Sequence, residues 1–161
     1  MQQTFKLRRF KIDDLKQVTH INMVCLPENY SDQFFIDIHQ RFPETFIVGE
    51  EDGKAVGYIM CRIETGLSGF GLRGLVKKGH IVSVAVLSDY RRQGIGQALV
   101  TRALENMKVY KAKQCFLEVR MTNNSAIDLY KKLGFETART VRCYYADGED
   151  AYVMAKNLSL Q

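Results

Sequence analysis

The stretch YRRQGIGQAL, residues 90–99, decides how this chain is read. Arg91, Arg92 and Gln93 stand directly before Gly94 and Gly96, and an apolar helical pattern follows without a gap. Two glycines so close together cost a helix roughly 1 kcal/mol each relative to alanine, so something other than helix propensity favours them. On the N-terminal side, HIVSVAVL (80–87) is an apolar, β-branched run of the length of a buried central strand. On the C-terminal side, Ile95, Leu99, Ala103 and Met107 recur at i+4 and define one buried helix face. A short turn at Ser88–Tyr90 joins the two. A helix start leaves its first N–H groups without intrahelical acceptors, and glycine lets an anion come close to them. The stretch is therefore built as a pyrophosphate seat, with Arg91 and Arg92 adding charge. The plain alternative is a helix cap flanked by solvated arginines.

Outward from this unit, the remaining segments read as further strands and helices. TFKLRRF (4–10) is a first strand with Phe5 and Leu7 on one face. Asp13 and Asp14 open a helix through Leu15, Val18, Ile21 and Met23, with the acids at its positive end. Pro27 in CLPENY pushes Leu26 out of helical geometry. A second helix starts at the N-cap Ser31, runs through Phe34, Phe35 and Ile38, and ends at Pro43. TFIVGEEDGKAVGYIMCRIE gives two strands joined by a turn at Asp52-Gly53, and TGLSGFGLRGLVKKG gives a loop with five glycines. QCFLEV (114–119) is a strand, and NNSAIDLYKKLGF is a helix with Gly134 at its C-terminal cap. The tail CYYADGEDAYVMAKNL is a hairpin around Ala146-Asp147-Gly148. The order βααββ–β–α–β–α–ββ predicts one α/β domain over residues 1–161, a mixed central sheet flanked by about four helices.

Composition excludes several classes of function. Hydrophobic residues make up 46% and charged residues 25% of 161, a globular rather than disordered profile. No apolar run approaches the ~20 residues of a membrane span, and MQQTFKLRRFKIDD has no secretory h-region, so no membrane association is expected. Cys25, Cys61, Cys115 and Cys143 form no CxxC pair, which argues against a metal site or a disulfide framework and fits a reducing cytoplasm. The net charge of +5 suits an anionic partner, yet no Arg/Lys run exceeds two, so no specific DNA partner is expected. GFGLRG (69–74) matches GxGxxG, with Asp89 near the distance of a ribose-binding acid, but a strand follows it where a helix is needed. It reads as a surface loop.

RRQGIG after a hydrophobic strand resembles the R/Q-x-x-G-x-G/A signature of the GNAT acetyltransferases. NNSAIDLYKKLGF resembles the same superfamily's second cofactor motif, N-x-x-A-x-x-L-Y-x-x-x-G-F. CLPENY (25–30), GHIVSVAV (79–86) and YYADGEDAYVM (144–154) look like the catalytic subunit of NatA-type N-terminal acetyltransferases. Without a long acidic C-terminal extension, the chain looks most like the short archaeal versions.

The resemblance implies a GNAT-like fold and direct transfer of acetyl from acetyl-CoA to the α-amine of a protein or peptide N-terminus. It implies a pyrophosphate site at Arg91, Arg92, Gln93, Gly94, Ile95, Gly96 and Gln97. It also implies pantetheine pairing along Val84, Ala85 and Val86, where one N–H would hold the oxyanion, and a pantetheine contact at Asn123. Tyr130 corresponds to the tyrosine that protonates the departing thiolate; its plain alternative is a core tyrosine against Leu133. Glu28 corresponds to a glutamate beside the incoming residue, His80 and Glu118 to a base pair acting through water, and Leu26, Tyr30, Tyr144 and Tyr145 to the walls around the acceptor. Eukaryotic NatA subunits often carry His where this chain has Glu118, which leaves the acceptor preference open. The plain readings are a solvated Glu28, a structural His80, a salt-bridged Glu118 and packing aromatics. The expected acceptors begin with Ser, Ala, Thr or some Met. A lysine, a ribosomal protein or a small amine is the alternative, as is a non-catalytic CoA-binding module of a ribosome-associated assembly. Ribosome association and an auxiliary subunit are further expectations.

Overall fold

A computed structural model describes residues 4–68 and 74–158. The seven strands form one mixed sheet in the order β1-β2-β3-β4-β5-β7-β6, accompanied by four α-helices. Chain contacts divide it into two compact units, Met1–Arg62 with Ile81–Val109, and Ile63–His80 with Tyr110–Gln161.

In the first unit, β1 (Lys6–Arg9) pairs antiparallel with β2 (Phe46–Glu51), and β2 with β3 (Lys54–Leu67). Asp52 (φ 51°) and Gly53 (φ 76°) both adopt the left-handed conformation, as a tight two-residue hairpin turn requires. Helix α1 (Leu15–Cys25) ends where Leu26 becomes extended, one residue before Pro27. Helix α2 (Asp32–Arg41) is capped by Ser31, whose hydroxyl accepts from the Phe34 N–H. Their apolar faces meet the sheet in a core that includes Val18, Ile21, Phe35, Phe46, Val48 and Tyr58.

Helix α3 (Ile95–Asn106) buries Ile95, Leu99 and Ala103 of the expected stripe with Val100 beside them, and Met107 is buried one residue past its end. Its first residue rests on a cross-strand glycine pair, Gly49 opposite Gly57. A Cβ at Gly49 would lie 3.0 Å from the Ile95 side chain. One at Gly57 would lie 3.1 Å from the Ala85 carbonyl and 3.4 Å from Ile95. The two glycines therefore let α3 settle directly on strand backbone.

In the second unit, β4 (Leu75–Val86) enters parallel to β5 (Gln114–Arg120), with His80 opposite Phe116. β5 pairs antiparallel with β7 (Ala151–Asn157), and β7 with β6 (Glu136–Val141). Helix α4 (Asn124–Lys132) is capped by Asn123, and Gly134 (φ 95°) closes its C-terminus.

Three expectations need correction. Most of the glycine-rich segment expected as a loop is strand: β3 continues to Leu67 and β4 begins at Leu75, so His80 lies within its strand instead of opening it. Backbone pairing tolerates glycine there, and Gly66 packs beside the Lys78 side chain, 3.8 Å from the position of a Cβ. GFGLRG lies outside the described residues except for Gly74. Finally, the first arm of the C-terminal hairpin is Glu136–Val141, upstream of the tyrosines. Cys143 has φ 52° and lies in the connection, which cannot continue a strand.

Asp14, buried at the start of α1, accepts two hydrogen bonds from Arg8 (2.7 and 2.8 Å) and one from the Lys11 N–H (2.8 Å). Burial opposes its ionisation, but these donors outweigh it and hold the carboxyl below its ordinary range. Stability from this group is therefore complete above its unfolded pKa of about 3.9 and disappears as pH falls through the lowered folded value. Asp14→Asn is expected to lower stability at pH 7 and flatten the acid limb of a stability–pH curve. Gly57→Ala is expected to cost about 2 kcal/mol in urea unfolding, because the strand carbonyl facing it cannot retreat.

Candidate active site

The segment expected to seat a cofactor folds within a few residues. β4 ends at Val86, a 3-10 turn spans Ser88–Tyr90, and α3 starts after Gly94. Arg92 (φ 63°) and Gly94 (φ 84°) are both left-handed, so glycine at 94 is demanded by backbone geometry as well as by any ligand. A Cβ there would meet no atom within 4 Å, which leaves open space at the helix N-terminus. Arg91 turns back to donate its Nε–H to the Val86 carbonyl at 2.9 Å, tying the turn to the strand end, while Arg92 is exposed. Ile95 is buried, so only its backbone faces the turn. Arg92, Gln93, Gly94 and Gln97 line a groove of about 1140 Å³ that also touches the start of β1 and the outer face of α3. Open space, a positive helix end and exposed arginine fit a pyrophosphate.

Within the same unit, Ala85 is buried and Val84 and Val86 are half-buried, a side-chain pattern that leaves their role to the backbone. The loop bearing Leu26, Glu28 and Tyr30 is held by Asn22, a residue the sequence reading missed. Asn22 is 2% exposed; its amide nitrogen donates to the Glu28 carbonyl (3.0 Å), and its oxygen accepts from the Tyr30 N–H (3.3 Å). Tyr30 donates its hydroxyl to the Val82 carbonyl (3.4 Å) and stacks on Phe34 with centroids 4.8 Å apart. Beneath it, Tyr58 and Ser83 share a buried 2.6 Å hydrogen bond, and burial pushes the Tyr58 phenol up to about 12. The available signal for Asn22 was its position four residues after Val18, a polar residue in an apolar stripe.

In the second unit, β4 and β5 bring His80 to Glu118. The parallel register sets His80 opposite Phe116, and strand alternation puts Glu118 on the same face as Phe116. His80 Nε2 lies 2.7 Å from Glu118 Oε2, and the ring is 7% exposed. Phe116 lies flat against the imidazole, centroids 4.5 Å apart and planes within 6°. That contact fixes the ring plane. Phe116 was also missed, although its spacing of two from Glu118 marks it. Asn123 caps α4 by accepting from the Ala126 N–H at 3.3 Å. Tyr130 is 7% exposed and packs edge-on against Phe135. Tyr144 is exposed and Tyr145 half-buried, their rings 4.9 Å apart in the turn between β6 and β7. Among the described residues, no three His, Cys, Asp or Glu gather to hold a metal, and no helix is long and apolar enough to cross a membrane.

Residues 15–135 match the model of the acetyltransferase (GNAT) family. The chain is 51% identical over 156 residues to an N-alpha-acetyltransferase of Sulfurisphaera tokodaii, spanning 96% of this chain and 93% of that one. It is 37% identical over 155 residues to NAA10 of Arabidopsis thaliana, the catalytic subunit of an N-terminal acetyltransferase A complex, spanning 94% and 77%. The fold superposes with a TM-score of 0.81 on Arabidopsis thaliana Naa50 in complex with the bisubstrate analogue CoA-Ac-MVNAL, at 30% identity and covering 95% and 98% of the two chains.

Asn22→Leu keeps the branch at Cγ but removes the donor to the Glu28 carbonyl and the acceptor of the Tyr30 N–H. The expected loss is about 2 kcal/mol in denaturant unfolding.

Proposed function

The chain belongs to the acetyltransferase (GNAT) family, and from that premise we propose that it acetylates the N-terminal α-amine of proteins with acetyl-CoA. The observation that carries this reading is likeness along nearly the whole chain to an N-alpha-acetyltransferase, 51% identical over 156 residues. Acetyl-CoA supplies the activated thioester. The N-terminus of α3, with Arg91, Arg92 and Gln93 through Gln97, binds its pyrophosphate by backbone N–H groups and positive charge. Val84, Ala85 and Val86 hold the pantetheine arm through their main chain, and one N–H there takes up charge developing on the carbonyl oxygen. Asn123 borders the same arm.

An α-ammonium has a pKa of about 7.7–8.0, so the nucleophile needs only modest help to lose its proton. The His80–Glu118 pair accepts that proton through water, and their 2.7 Å contact supports the assignment. Glu28 orients the incoming ammonium. Leu26 and Tyr30, and likewise Tyr144 and Tyr145, are assigned to the acceptor's first residues. Tyr130 returns a proton to the thiolate. Acceptors begin with Ser, Ala, Thr or some Met, and acidic first residues are disfavoured by the charge of Glu28. The same reading puts the protein in the cytoplasm as one domain over residues 1–161. It includes an auxiliary subunit, as the A-complex relative has, and ribosomal contact suited to a net charge of +5.

The test is turnover by the purified chain on peptides beginning Ser, Ala, Met-Leu, Met-Glu and Glu, beside a blocked peptide with one free lysine. Turnover confined to free α-amines is expected. Turnover on the lysine peptide alone overturns the acceptor class, and CoA binding without turnover by the chain, alone or with a partner subunit, overturns catalysis. Glu118→Gln is expected to lower kcat/KM roughly tenfold to a hundredfold at pH 7. The deficit shrinks above about pH 8, where the amine is already neutral.

A further inference from the structure

The strand that carries Glu118 carries Arg120 two residues on, at the same face, and Arg120 reaches into the turn that bears both tyrosines. Its Nη1 donates to both Asp147 carboxylate oxygens (3.1 and 2.9 Å) and to Glu149 Oε1 (3.0 Å). The guanidinium carbon lies 4.0 Å above the Tyr145 ring. Glu149 is anchored again by the Thr122 hydroxyl (2.6 Å) and N–H (3.2 Å). The turn closes on itself through Tyr145 N–H to the Glu149 carbonyl (3.1 Å). Arg120 is thus the hub between a sheet strand and a segment that has no ladder of its own.

We propose that Arg120 is a specificity-positioning residue: it holds Tyr144 and Tyr145 in the shape that receives the acceptor peptide, and it offsets part of the turn's negative charge so that the carboxylates select the peptide less by charge. The inference rests on the α-amine acetylation proposed above. Asp147 and Glu149 would otherwise present two negative charges beside the tyrosines. Donors from the Glu149 N–H and Arg120 hold Asp147 below its ordinary carboxylate range, and donors from Thr122 and Arg120 do the same for Glu149, so both stay ionised throughout the working range. Without Arg120, the turn gains negative field and loses its stacking partner. Lysine retains the charge but not the planar fork or the stacking, so it restores charge balance better than tyrosine placement.

The experiment compares wild type, Arg120→Gln, Arg120→Lys and the triple variant Arg120→Gln/Asp147→Asn/Glu149→Gln. Peptides begin Ser-Lys and Ser-Glu, and thermal unfolding is measured on each variant. Arg120→Gln is expected to raise peptide KM about tenfold while kcat and the acetyl-CoA KM stay within about twofold. It should also shift preference toward Ser-Lys over Ser-Glu by about fivefold. Arg120→Lys should keep the raised KM while returning the charge preference to that of wild type, and the triple variant should keep the raised KM and lose the added preference for Ser-Lys. An Arg120→Gln enzyme that loses kcat equally on both peptides, or changes neither KM nor preference, overturns the inference while leaving α-amine acetylation standing. No α-amine turnover by wild type overturns the proposed function and this inference together.

Discussion

The contact between Ile95 and the paired glycines of β2 and β3 is the constraint that fixes the N-terminus of α3, the proposed cofactor seat. Gly49 and Gly57 face each other across the strands, and together they remove the side chains that would hold α3 off the sheet. Gly57 also lets β3 approach the Ala85 carbonyl, so one missing Cβ sets the positions of helix and strand end at once. With Ile95 driven into the core, the helix N-terminus is anchored by burial, and Gly94 turns the chain in a conformation that an L side chain resists. A seat for phosphate needs rigid N–H groups more than it needs side chains, and burial of Ile95 supplies that rigidity.

The loop that carries Glu28 is organised differently. Its backbone has no strand partner, so a buried side chain takes the part of one: Asn22 pairs with the Glu28 carbonyl and the Tyr30 N–H as a neighbouring strand would. The Tyr30 hydroxyl continues the connection to Val82. Arg120 does the corresponding work for the tyrosine turn, with charge in place of amide dipoles. Both loops are held by polar groups projecting from regular elements, which keeps loop chemistry at a fixed place on a helix or strand.

Much of this was legible before any coordinates. The break at Pro27, the Ser31 cap, the Asp52-Gly53 turn, the α3 stripe and the Gly134 cap all act within a few residues, so the local sequence carries them. The segment 65–79 misled because glycine signals a turn only when no ladder is there to use the extended backbone. The ladder there comes from β3 and β4 lying side by side in the sheet and from β5 beyond them. The C-terminal hairpin misled for a related reason: the aromatic pair Tyr144-Tyr145 has strand propensity, but Arg120 and the carboxylates of Asp147 and Glu149 claim that segment for a turn.

By itself the sequence determined the order of elements and the glycine-initiated helix, because caps, turns and helical periodicity are short-range, while the two motifs assigned to a cofactor rest on the family resemblance. The pairing of His80 with Glu118 was an expectation of the resemblance; its distance, and the Arg120 contacts, were decided by tertiary structure. His80 finds Glu118 across 38 residues because parallel register and strand alternation put them on one face, and Arg120 finds Asp147 across 27 because β7 begins opposite Arg120 and brings the preceding turn within reach. Phe116 against His80 and Ile95 on Gly49 and Gly57 have the same origin. Composition supplies the partners, but only the folded sheet fixes the few ångströms that separate a solvated side chain from a working one.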